Sequence, residues 1–358
     1  MQQNTFLLYG ANGYTGELIA RFASQYGLQP ILAGRKKEAI ETLAAKLRLP
    51  YRVFELTDTT ALKSALQEVS LVVHAAGPYD HTAAPVIRAC MDTHTHYLDL
   101  NGDVDVFEML QGYDQQARAN NIMVMPGAGF DVVPTDCMSL WLKNQLPDAH
   151  ALKVAFATFG STLSHGTAVT TLQKLGMPGA TRKNGVIVPE PVGKSGMWVE
   201  FPAYQQKAFV MTIPWGDLST AFYSTGIPNI ETYTGMNPGT WRLLKVQSLF
   251  NWLLRTKLVH RIARNIIDRR SPGPDDAMRE KAQCLVWAQV TNPQGKSLSA
   301  TMRCPEAYDL TAHAILLISQ KILNNQFKPG YQTPASAYGP DLVLEIPGVT
   351  RDAAPTAS

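Results

Sequence analysis

Six short apolar runs alternate with amphipathic segments in the first 150 residues, and this alternation constrains the fold more than any other feature. The runs are predicted strands, at residues 5–10, 29–34, 51–56, 70–76, 95–100 and 121–127. The segments between them have apolar residues at helical spacing and cover residues 14–26, 37–48, 59–68, 82–92 and 103–119. Nearly continuous apolar strands separated by helices indicate a parallel sheet that is covered on both faces. We therefore predict an α/β fold with a doubly wound, Rossmann-type parallel sheet.

From about residue 150 the pattern changes to longer runs in which apolar and polar residues alternate, such as LKVAFATFG and QCLVWAQVTN. Such runs predict strands of an antiparallel or mixed sheet. Two long helices are predicted near residues 239–270 and 306–325. We therefore predict a second α+β domain over residues 151–325, which serves substrate binding or dimerisation.

Composition excludes several classes of function. The net charge of +3 is too small to indicate nucleic-acid binding, and no motif with interleaved basic and aromatic residues is present. The four cysteines are far apart and form no CxxC pair, so neither a disulfide framework nor a metal site is predicted. Because no signal sequence or run of about 18 apolar residues is present, we expect a cytoplasmic protein.

A strand, a glycine-rich turn and a helix follow one another in the sequence YGANGYTGELIA. Glycines in such a turn adopt backbone conformations that are closed to larger residues, and a glycine inside the helix allows close packing on the strand. The helix N-terminus offers free N–H groups and its positive dipole end to a pyrophosphate. A plain glycine-rich turn is the alternative, since the spacing differs by one position from GxGxxG. The predicted cofactor-binding residues here are Gly10, Asn12, Gly13, Tyr14, Thr15 and Gly16.

Basic residues follow the second predicted strand, at the position where an NAD site usually has an acidic residue. The strand ends at Gly34 and continues into Arg35, Lys36 and Lys37. A guanidinium suits the 2′-phosphate of NADP, because it forms charge-assisted hydrogen bonds in a planar fork. We therefore predict NADP as the cofactor, with Gly34, Arg35 and Lys36 among its binding residues. A solvent-exposed basic helix start is the alternative.

The ends of the third and fourth strands supply further candidates. Asp58 lies where a side chain can meet an adenine edge, although capping of the following helix explains this residue equally well. Ala76, Gly77 and Pro78 follow the fourth strand. Small residues at this point let the backbone lie against the ribose and nicotinamide half of the cofactor. All four residues are predicted to contact the cofactor.

The segments YGANGYTG, LAGR, VVHAAGPY, ACMDTHTHYLDLNGDV and PGAGFDVVPTD, in that order, resemble the saccharopine dehydrogenase-like family of oxidoreductases, which includes the trans-acting enoyl reductases. The resemblance covers residues 5–140 and returns with SHGTAVTTL and GYQTPASAYG. It implies an NADP-binding Rossmann domain over residues 1–150, rejoined by the segment 326–358, and reductase chemistry without a fixed substrate. The chain departs from the family pattern at Asp103, where Glu is common, and at His165, where a small residue is common.

Hydride transfer needs a group that polarises or protonates the substrate, and such groups lie at the carboxyl ends of the strands in open α/β sheets. Tyr79, Asp131 and His165 are the predicted catalytic residues, and Asp99 lies near them by the same reasoning. The ordinary pKa of a histidine suits proton transfer near neutrality. The alternatives are that the Tyr79 ring packs on the cofactor and that Asp131 caps or braces the helix that begins near Pro134.

The predicted helix at residues 239–270 has eight Lys or Arg residues and one Asp between Arg242 and Arg270. This helix could dock on an anionic membrane or hold an acyl substrate. Packing on the second domain or on a dimer partner, with a solvated basic face, is the interpretation that we favour from the sequence. One apolar stripe runs along the helix and consists of Leu243, Val246, Phe250, Leu254, Leu258, Ile262 and Ile266.

Taken together, the sequence predicts a cytoplasmic NADP-dependent oxidoreductase. The reaction is hydride transfer to a C=N, C=C or C=O bond of a small or lipid-like substrate, either amino-acid-derived or acyl. Two alternatives stay open, a non-catalytic dinucleotide-binding sensor or scaffold and a peripheral membrane protein. The first alternative stays open because the chain lacks an acid–base pair such as the Tyr-xxx-Lys of short-chain reductases.

Overall fold

The computed structural model describes residues 4–245, 256–269 and 271–357. The strands up to residue 133 are β1 (Thr5–Tyr9), β2 (Gln29–Gly34), β3 (Tyr51–Val53), β4 (Leu71–His74), β5 (His96–Asp99) and β6 (Met123–Met125). The helices among them are α1 (Tyr14–Phe22), α2 (Lys37–Leu47), α3 (Thr59–Gln67), α4 (Tyr79–Thr93), α5 (Val104–Gln111) and α6 (Asp114–Ala119). Each predicted strand of this region is present, mostly with shorter bounds. The predicted helices are also present, except that the helix predicted over residues 103–119 is divided into α5 and α6, and the one predicted over 82–92 begins earlier, at Tyr79.

The rest of the chain continues with α7 (Val133–Gln145), β7 (Ala151–Phe159), α8 (His165–Gln173), β8 (Gly179–Lys183), β9 (Val186–Glu190), β10 (Gly196–Phe201), β11 (Gln206–Thr212), α9 (Asp217–Thr225), β12 (Asn229–Gly235) and α10 (Pro238–Lys245). It ends with α11 (Lys257–Asp268), α12 (Asp276–Lys281), β13 (Gln283–Thr291), β14 (Ser297–Cys304), α13 (Ala307–Leu323), β15 (Gly330–Tyr331), α14 (Pro334–Tyr338), β16 (Thr350–Arg351) and β17 (Thr356–Ala357). Short 3₁₀ helices cover Ala23–Tyr26, Pro202–Tyr204 and Leu342–Glu345.

Seven of the described strands form one parallel sheet in the order β15-β6-β5-β4-β1-β2-β3. Consecutive residues of β1, Leu7 and Leu8, are both fully buried, as expected where helices cover both faces of a parallel sheet. The strand order reverses between β1 and β4, which are neighbours in the sheet. Such a reversal opens a crevice at the carboxyl ends of the two strands, where open α/β sheets bind ligands. The predicted doubly wound sheet is confirmed.

The second sheet is mixed and contains ten of the described strands. Its main path runs β10-β11-β12-β7-β13-β14-β16, with β7 parallel to β12 and antiparallel to β13. Alternation along β13 explains why it forms here, since Cys284, Val286, Ala288 and Val290 are fully buried on one face. The predicted second α+β domain is therefore present.

Contacts divide the described chain into two units, residues 1–133 with 308–338 and residues 134–307 with 339–358. The sequence analysis instead predicts a domain boundary near residue 150 and a return of residues 326–358 to the first domain. The helix α7 belongs to the second unit, where Asp136 accepts a hydrogen bond from Ser224 of α9. The last twenty residues also belong there, because β16 and β17 both pair with β14 at the edge of the mixed sheet. In contrast, Gly330 and Tyr331 pair with β6 of the parallel sheet.

The region predicted as one helix over residues 239–270 is described in two parts, α10 and α11. Three residues of its predicted apolar stripe, Val246, Phe250 and Leu254, lie outside the described residues. The other four, Leu243, Leu258, Ile262 and Ile266, are exposed. Among the described residues, no helix is both long and apolar enough to cross a membrane.

Candidate functional site

The glycine-rich turn lies directly after β1, at the carboxyl edge of the parallel sheet. Gly10 has φ +90°, a conformation that favours glycine, and its N–H donates to Ala33 O of β2 at 2.8 Å. The Gly13 N–H donates to Gly10 O at 2.9 Å, and Gly13 is the N-cap residue of α1. No side chain caps α1. Its first amide groups therefore lie where an anion can accept hydrogen bonds from them.

Side chains at two of the three glycines would collide with backbone. A Cβ on Gly16 would lie 2.3 Å from Gly10 O, and a Cβ on Gly10 would lie 2.6 Å from the carbonyl group of Ala75. At Gly13 the nearest atom would be Gly10 O at 3.2 Å. The fold itself thus requires glycine at positions 10 and 16. At position 13 the structure leaves room beside the turn, which fits the close approach of a phosphate group.

The residues after β2 form a basic, exposed corner at the same edge. Arg35 and Lys36 are exposed, and no carboxylate of the described residues forms an ion pair with either. Lys36 is the N-cap residue of α2 and, as in α1, no side chain caps the helix. A Cβ on Gly34 would lie 3.0 Å from Asn12 Oδ1, so Asn12 lies directly over the end of β2. This corner therefore consists of two exposed cations and a helix N-terminus that no described side chain caps.

Asp58 has a structural role in α3. Its carboxylate accepts a hydrogen bond from the Ala61 N–H at 3.0 Å and is the N-cap of this helix. This is the capping role that the sequence analysis gives as an alternative. Contact between Asp58 and an adenine stays a prediction.

At the end of β4 a buried histidine organises the turn into α4. His74 Nε2 lies 2.9 Å from Thr82 Oγ1, and that hydroxyl lies within donating distance of Ala76 O (2.8 Å) and Pro78 O (3.0 Å). Since the hydroxyl proton goes to a carbonyl oxygen, the hydroxyl accepts from Nε2–H, and Nδ1 is unprotonated. Burial lowers the pKa of His74 to about 3. The imidazole is therefore neutral near physiological pH. Through its bond to the Thr82 hydroxyl, it helps to hold residues 76–78 in place.

Tyr79 packs edge-on against His74, with 5.2 Å between the ring centroids. Its hydroxyl donates to His74 O at 3.3 Å. Burial, and then the carboxylate of Asp99, raise the pKa of Tyr79 well above its usual value. The hydroxyl is thus held in its neutral form, in which it can donate a proton in a hydrogen bond but does not serve as a base.

The fully buried carboxylate of Asp99 connects three segments at the end of β5. Its Oδ2 accepts from the Tyr97 hydroxyl at 2.7 Å, and its Oδ1 accepts from the Asn101 N–H (2.9 Å) and the Gly127 N–H (2.8 Å). Burial raises the pKa of Asp99 to about 6, against the lowering effect of these hydrogen bonds. Asp99 therefore joins the loops that follow β5 and β6.

Asp131 lies beside this cluster. A Cβ on Gly102 would lie 2.6 Å from Asp131 Oδ2, so the carboxylate rests against the backbone of the loop after β5. The negative charges of Asp99 and Asp131 both act to raise the pKa of Tyr79. The structure thus brings Tyr79, Asp99 and Asp131 together at one edge of the parallel sheet.

His165 belongs to the second unit. It is the first residue of α8, whose N-cap Ser164 accepts from the Thr167 N–H. Its Nε2 lies 2.8 Å from Asp268 Oδ1 at the end of α11, and this hydrogen bond lowers the pKa of Asp268. Within its own unit, His165 is thus engaged in a surface pair. Its catalytic role stays a prediction.

Residues 6–125 match the family model of the saccharopine dehydrogenase NADP binding domain. This part of the first unit is therefore similar to the NADP-binding domain of saccharopine dehydrogenase. The predicted resemblance and the predicted type of cofactor domain are confirmed. The matched segment covers the glycine turn, the basic corner, Tyr79 and Asp99, and it ends before Gly127 and Asp131.

Relatives of this NADP-binding domain occur in larger proteins. A mouse saccharopine dehydrogenase-like oxidoreductase is 25% identical over 202 residues, which is 49% of this chain and 47% of the mouse protein. A trans-acting enoyl reductase of Mycobacterium leprae is 30% identical over 138 residues, covering 36% of this chain and 33% of the relative. The matches thus span about half or less of the length of these relatives.

The similarity of fold extends beyond the NADP-binding domain. The apo saccharopine dehydrogenase (L-Glu forming) of Saccharomyces cerevisiae superposes with a TM-score of 0.67, covering 99% of both chains at 12% identity. At this identity the likeness concerns the fold alone. It supports the combination of a parallel nucleotide-binding sheet with a second, mixed sheet.

His74 and Tyr97 are site residues that the sequence reasoning missed. Two sequence signals could have found them. Tyr97 and Asp99 are two apart on β5 and so share a face, and His74 ends an otherwise apolar strand at the edge where ligands bind. The contact of His74 with Thr82, and the bonds from the Tyr97 hydroxyl and the Gly127 N–H to Asp99, depend on tertiary packing, which no local pattern encodes.

Proposed function

We propose that this chain is an NADP-dependent oxidoreductase that transfers a hydride to a C=N, C=C or C=O bond of a small or lipid-like substrate. The observation that carries this proposal is the pair of exposed cations at Arg35 and Lys36, next to a glycine turn. Among the described residues, neither cation has an ion-pair partner and no side chain caps the helix after the turn. When bound, the nicotinamide supplies or accepts the hydride. The protein supplies position, electrostatics and a proton donor.

The preference for NADP over NAD is supported by charge at the end of β2. An acidic side chain there would accept from the ribose hydroxyls of NAD and repel a 2′-phosphate. This chain has Gly34 followed by Arg35, and the guanidinium is free to form a bidentate contact with a phosphate. The uncapped N-terminus of α2 adds a favourable dipole.

The reacting end of the site is assigned to the carboxyl ends of β4 and β5. Tyr79 is the proposed hydrogen-bond donor to a substrate oxygen or nitrogen, because its raised pKa keeps the hydroxyl protonated and its 3.3 Å bond to His74 O is long enough to be exchanged for one to the substrate. Asp131 is the proposed second polar contact. Asp99 acts through its neighbours, since its carboxylate is fully buried and holds the loop backbone.

One observation favours a second candidate, a dinucleotide-binding sensor or scaffold without catalysis. The hydroxyls of Tyr79 and Tyr97 and the carboxylate of Asp99 are all engaged in hydrogen bonds within the protein. His165, the residue with the most suitable ordinary pKa, is paired with Asp268. In a protein that binds NADP without catalysis, these polar groups would serve only to stabilise the fold.

Oxidation of NADPH by the purified protein distinguishes the two candidates. Imine, keto-acid and enoyl substrates would be screened by loss of NADPH absorbance, with NADPH affinity measured by calorimetry on the same sample. Turnover with any class that falls at least about tenfold in Tyr79→Phe, but not in the matched control Tyr51→Phe, supports the oxidoreductase. Tight NADPH binding without turnover across all classes supports the scaffold.

A further inference from the structure

An exposed row of apolar side chains runs along α11. Leu258, Ile262 and Ile266 occur at intervals of four residues and are 57%, 51% and 53% exposed. Residues at this spacing lie one above another on the same side of a helix. Single exposed apolar residues are common on protein surfaces, but a continuous row on one helix is not.

The helix is held in place on a different face. Val259, Ala263 and Ile267 are half-buried, and α11 packs against α8. The Thr256 hydroxyl caps the first turn by accepting from the Val259 N–H, and Asp268 in the last turn pairs with His165 of α8. Packing on the second unit therefore uses only half of the apolar surface. The sequence analysis favoured a packed helix, and the exposure of the remaining half changes that preference.

Basic side chains border the exposed row. Lys257, Arg261 and Arg264 lie on the adjacent side of the helix, at intervals of four and three residues, and Arg269 follows at its end. All four are exposed. Arg264 and Asp268 form an ion pair with 3.1 Å between Nε and Oδ1, and this aspartate is the only acidic residue of α11. The border of the row is thus strongly positive.

We propose that this face of α11 docks on an anionic membrane surface, with Leu258, Ile262 and Ile266 inserted among the acyl chains near the headgroups. A helix that has a pronounced apolar side, a basic polar side and low overall hydrophobicity lies in the plane of such an interface. The long aliphatic stems of Lys and Arg let their charged ends reach the phosphate groups while the apolar row is buried.

Charge and size argue against a second copy of the chain as the occupant. A two-fold symmetric contact places the same patch on both sides, so it would bring the basic residues of two copies close together. A helix of 12 residues is about 18 Å long and offers three exposed apolar side chains, well below the roughly 800 Å² that each partner buries in a stable dimer. An anionic lipid surface satisfies both the apolar row and the positive border.

Co-sedimentation with vesicles tests this proposal on the whole chain of 358 residues. Vesicles of phosphatidylcholine alone would be compared with vesicles of phosphatidylcholine and phosphatidylserine in about equal amounts, at ionic strengths around 0.15 M and below. We expect pelleting with the anionic vesicles only, weakened by added salt. Replacing both Lys257 and Arg261 with Gln should lower partitioning by at least about tenfold, since each basic residue near such a surface contributes about fivefold.

The apolar part of the surface is tested by Ile262→Ser together with Ile266→Ser, which should lower partitioning by at least about tenfold. The matched controls are Val186→Ser, on an exposed strand of the same unit, and the pair Lys296→Gln and Arg303→Gln, also exposed. Circular dichroism and NADPH affinity would show that every variant is folded. These measurements do not depend on turnover, so the proposed activity can fail without affecting them.

Three results would overturn the proposal. The first is no pelleting with anionic vesicles at either ionic strength. The second is pelleting that the controls weaken as much as the α11 variants do. The third is a dimer in sedimentation velocity that the Ile262→Ser and Ile266→Ser variant converts to a monomer, which would assign the face to a second copy of the chain.

Discussion

The two ends of one sheet edge are built in opposite ways. At the ends of β1 and β2 the structure presents bare backbone and exposed cations. A Cβ on Gly13 would meet only Gly10 O within 4 Å, and Arg35 has no ion-pair partner among the described residues. At the ends of β4 and β5 the polar groups are buried: His74 bonds to the Thr82 hydroxyl, and Asp99 accepts from the Tyr97 hydroxyl and the Gly127 N–H.

This difference in burial indicates that the exposed end of the site serves cofactor binding and the buried end serves the reaction. Phosphates need exposed positive groups that reach them from solvent, and such groups contribute little to folding. A reacting centre needs dry, fixed dipoles, and those must be satisfied within the fold. Apart from Gly10 and Gly16, where a side chain would collide with backbone, we therefore expect substitutions at the first end to change cofactor affinity more than stability. Substitutions at the second end should change stability and its pH dependence.

The largest expected effect is at the glycine turn. In Gly13→Val the branched side chain would occupy the approach of the pyrophosphate, so NADPH affinity should fall about a thousandfold or more, or roughly 4 kcal/mol. Gly13 has extended backbone angles (φ −78°, ψ 162°) that valine adopts, but a Cβ there would lie 3.2 Å from Gly10 O, so the melting temperature should fall, although by less than in Gly16→Val. Calorimetry and thermal unfolding would measure both quantities.

The control for this prediction is Gly16→Val, because a side chain there meets Gly10 O in the fold itself. It should lower the melting temperature even without cofactor. Normal NADPH binding by Gly13→Val would show that the turn does not hold the phosphates.

The next effect concerns Asp99 at the buried end. Its pKa is about 6 in the fold against 3.8 as the ordinary value, so the folded state binds the proton more tightly than the unfolded state. The resulting stability is fully present below about pH 4 and is lost as the pH rises through about 6. The difference between the two pKa values corresponds to on the order of 3 kcal/mol of unfolding free energy. Asp99→Asn should therefore flatten the stability profile between these pH values.

Urea unfolding of the wild type and Asp99→Asn at several pH values would measure this effect. Asp105→Asn, in the exposed first turn of α5, is the matched control and should keep the wild-type profile. Parallel profiles for all three proteins would mean that Asp99 does not titrate between pH 4 and 6.

Local patterns predicted most of the first unit because its strands and helices are separated by short turns with clear chemistry. The strand at residues 29–34 has the predicted bounds, and the helix at 37–48 ends one residue early. Patterns failed where partners are distant in sequence. Two-residue strands such as β16 have no periodicity, so their pairing with β14 was not predictable. In the candidate site, glycines and charges were predictable from type and position, whereas the hydrogen bonds from Gly127 and Asn101 to Asp99 come from loop packing.

A third prediction tests cofactor choice. Arg35→Ala removes a charge-assisted contact worth about 1.5 to 3 kcal/mol, so NADPH affinity should fall by about tenfold to a hundredfold or more. NADH lacks the 2′-phosphate, and its affinity should stay within about twofold. Both cofactors would be titrated by calorimetry, with Lys37→Ala as control because Lys37 lies near Glu41 rather than free. Equal losses for NADH and NADPH would show that Arg35 does not read the 2′-phosphate.

The smallest expected effect tests whether Asp58 is a structural residue or a cofactor-binding residue. Asp58 caps α3 through the Ala61 N–H, and removal of such a cap costs about 1 kcal/mol of stability. If capping is its only role, Asp58→Ala should lower stability by that amount and leave NADPH affinity unchanged. Asp58→Asn keeps the cap, because an asparagine oxygen accepts the same bond, and should restore stability. A fall in NADPH affinity in both variants, with stability restored in Asp58→Asn, would instead assign the carboxylate to the adenine and move Asp58 into the binding end of the site.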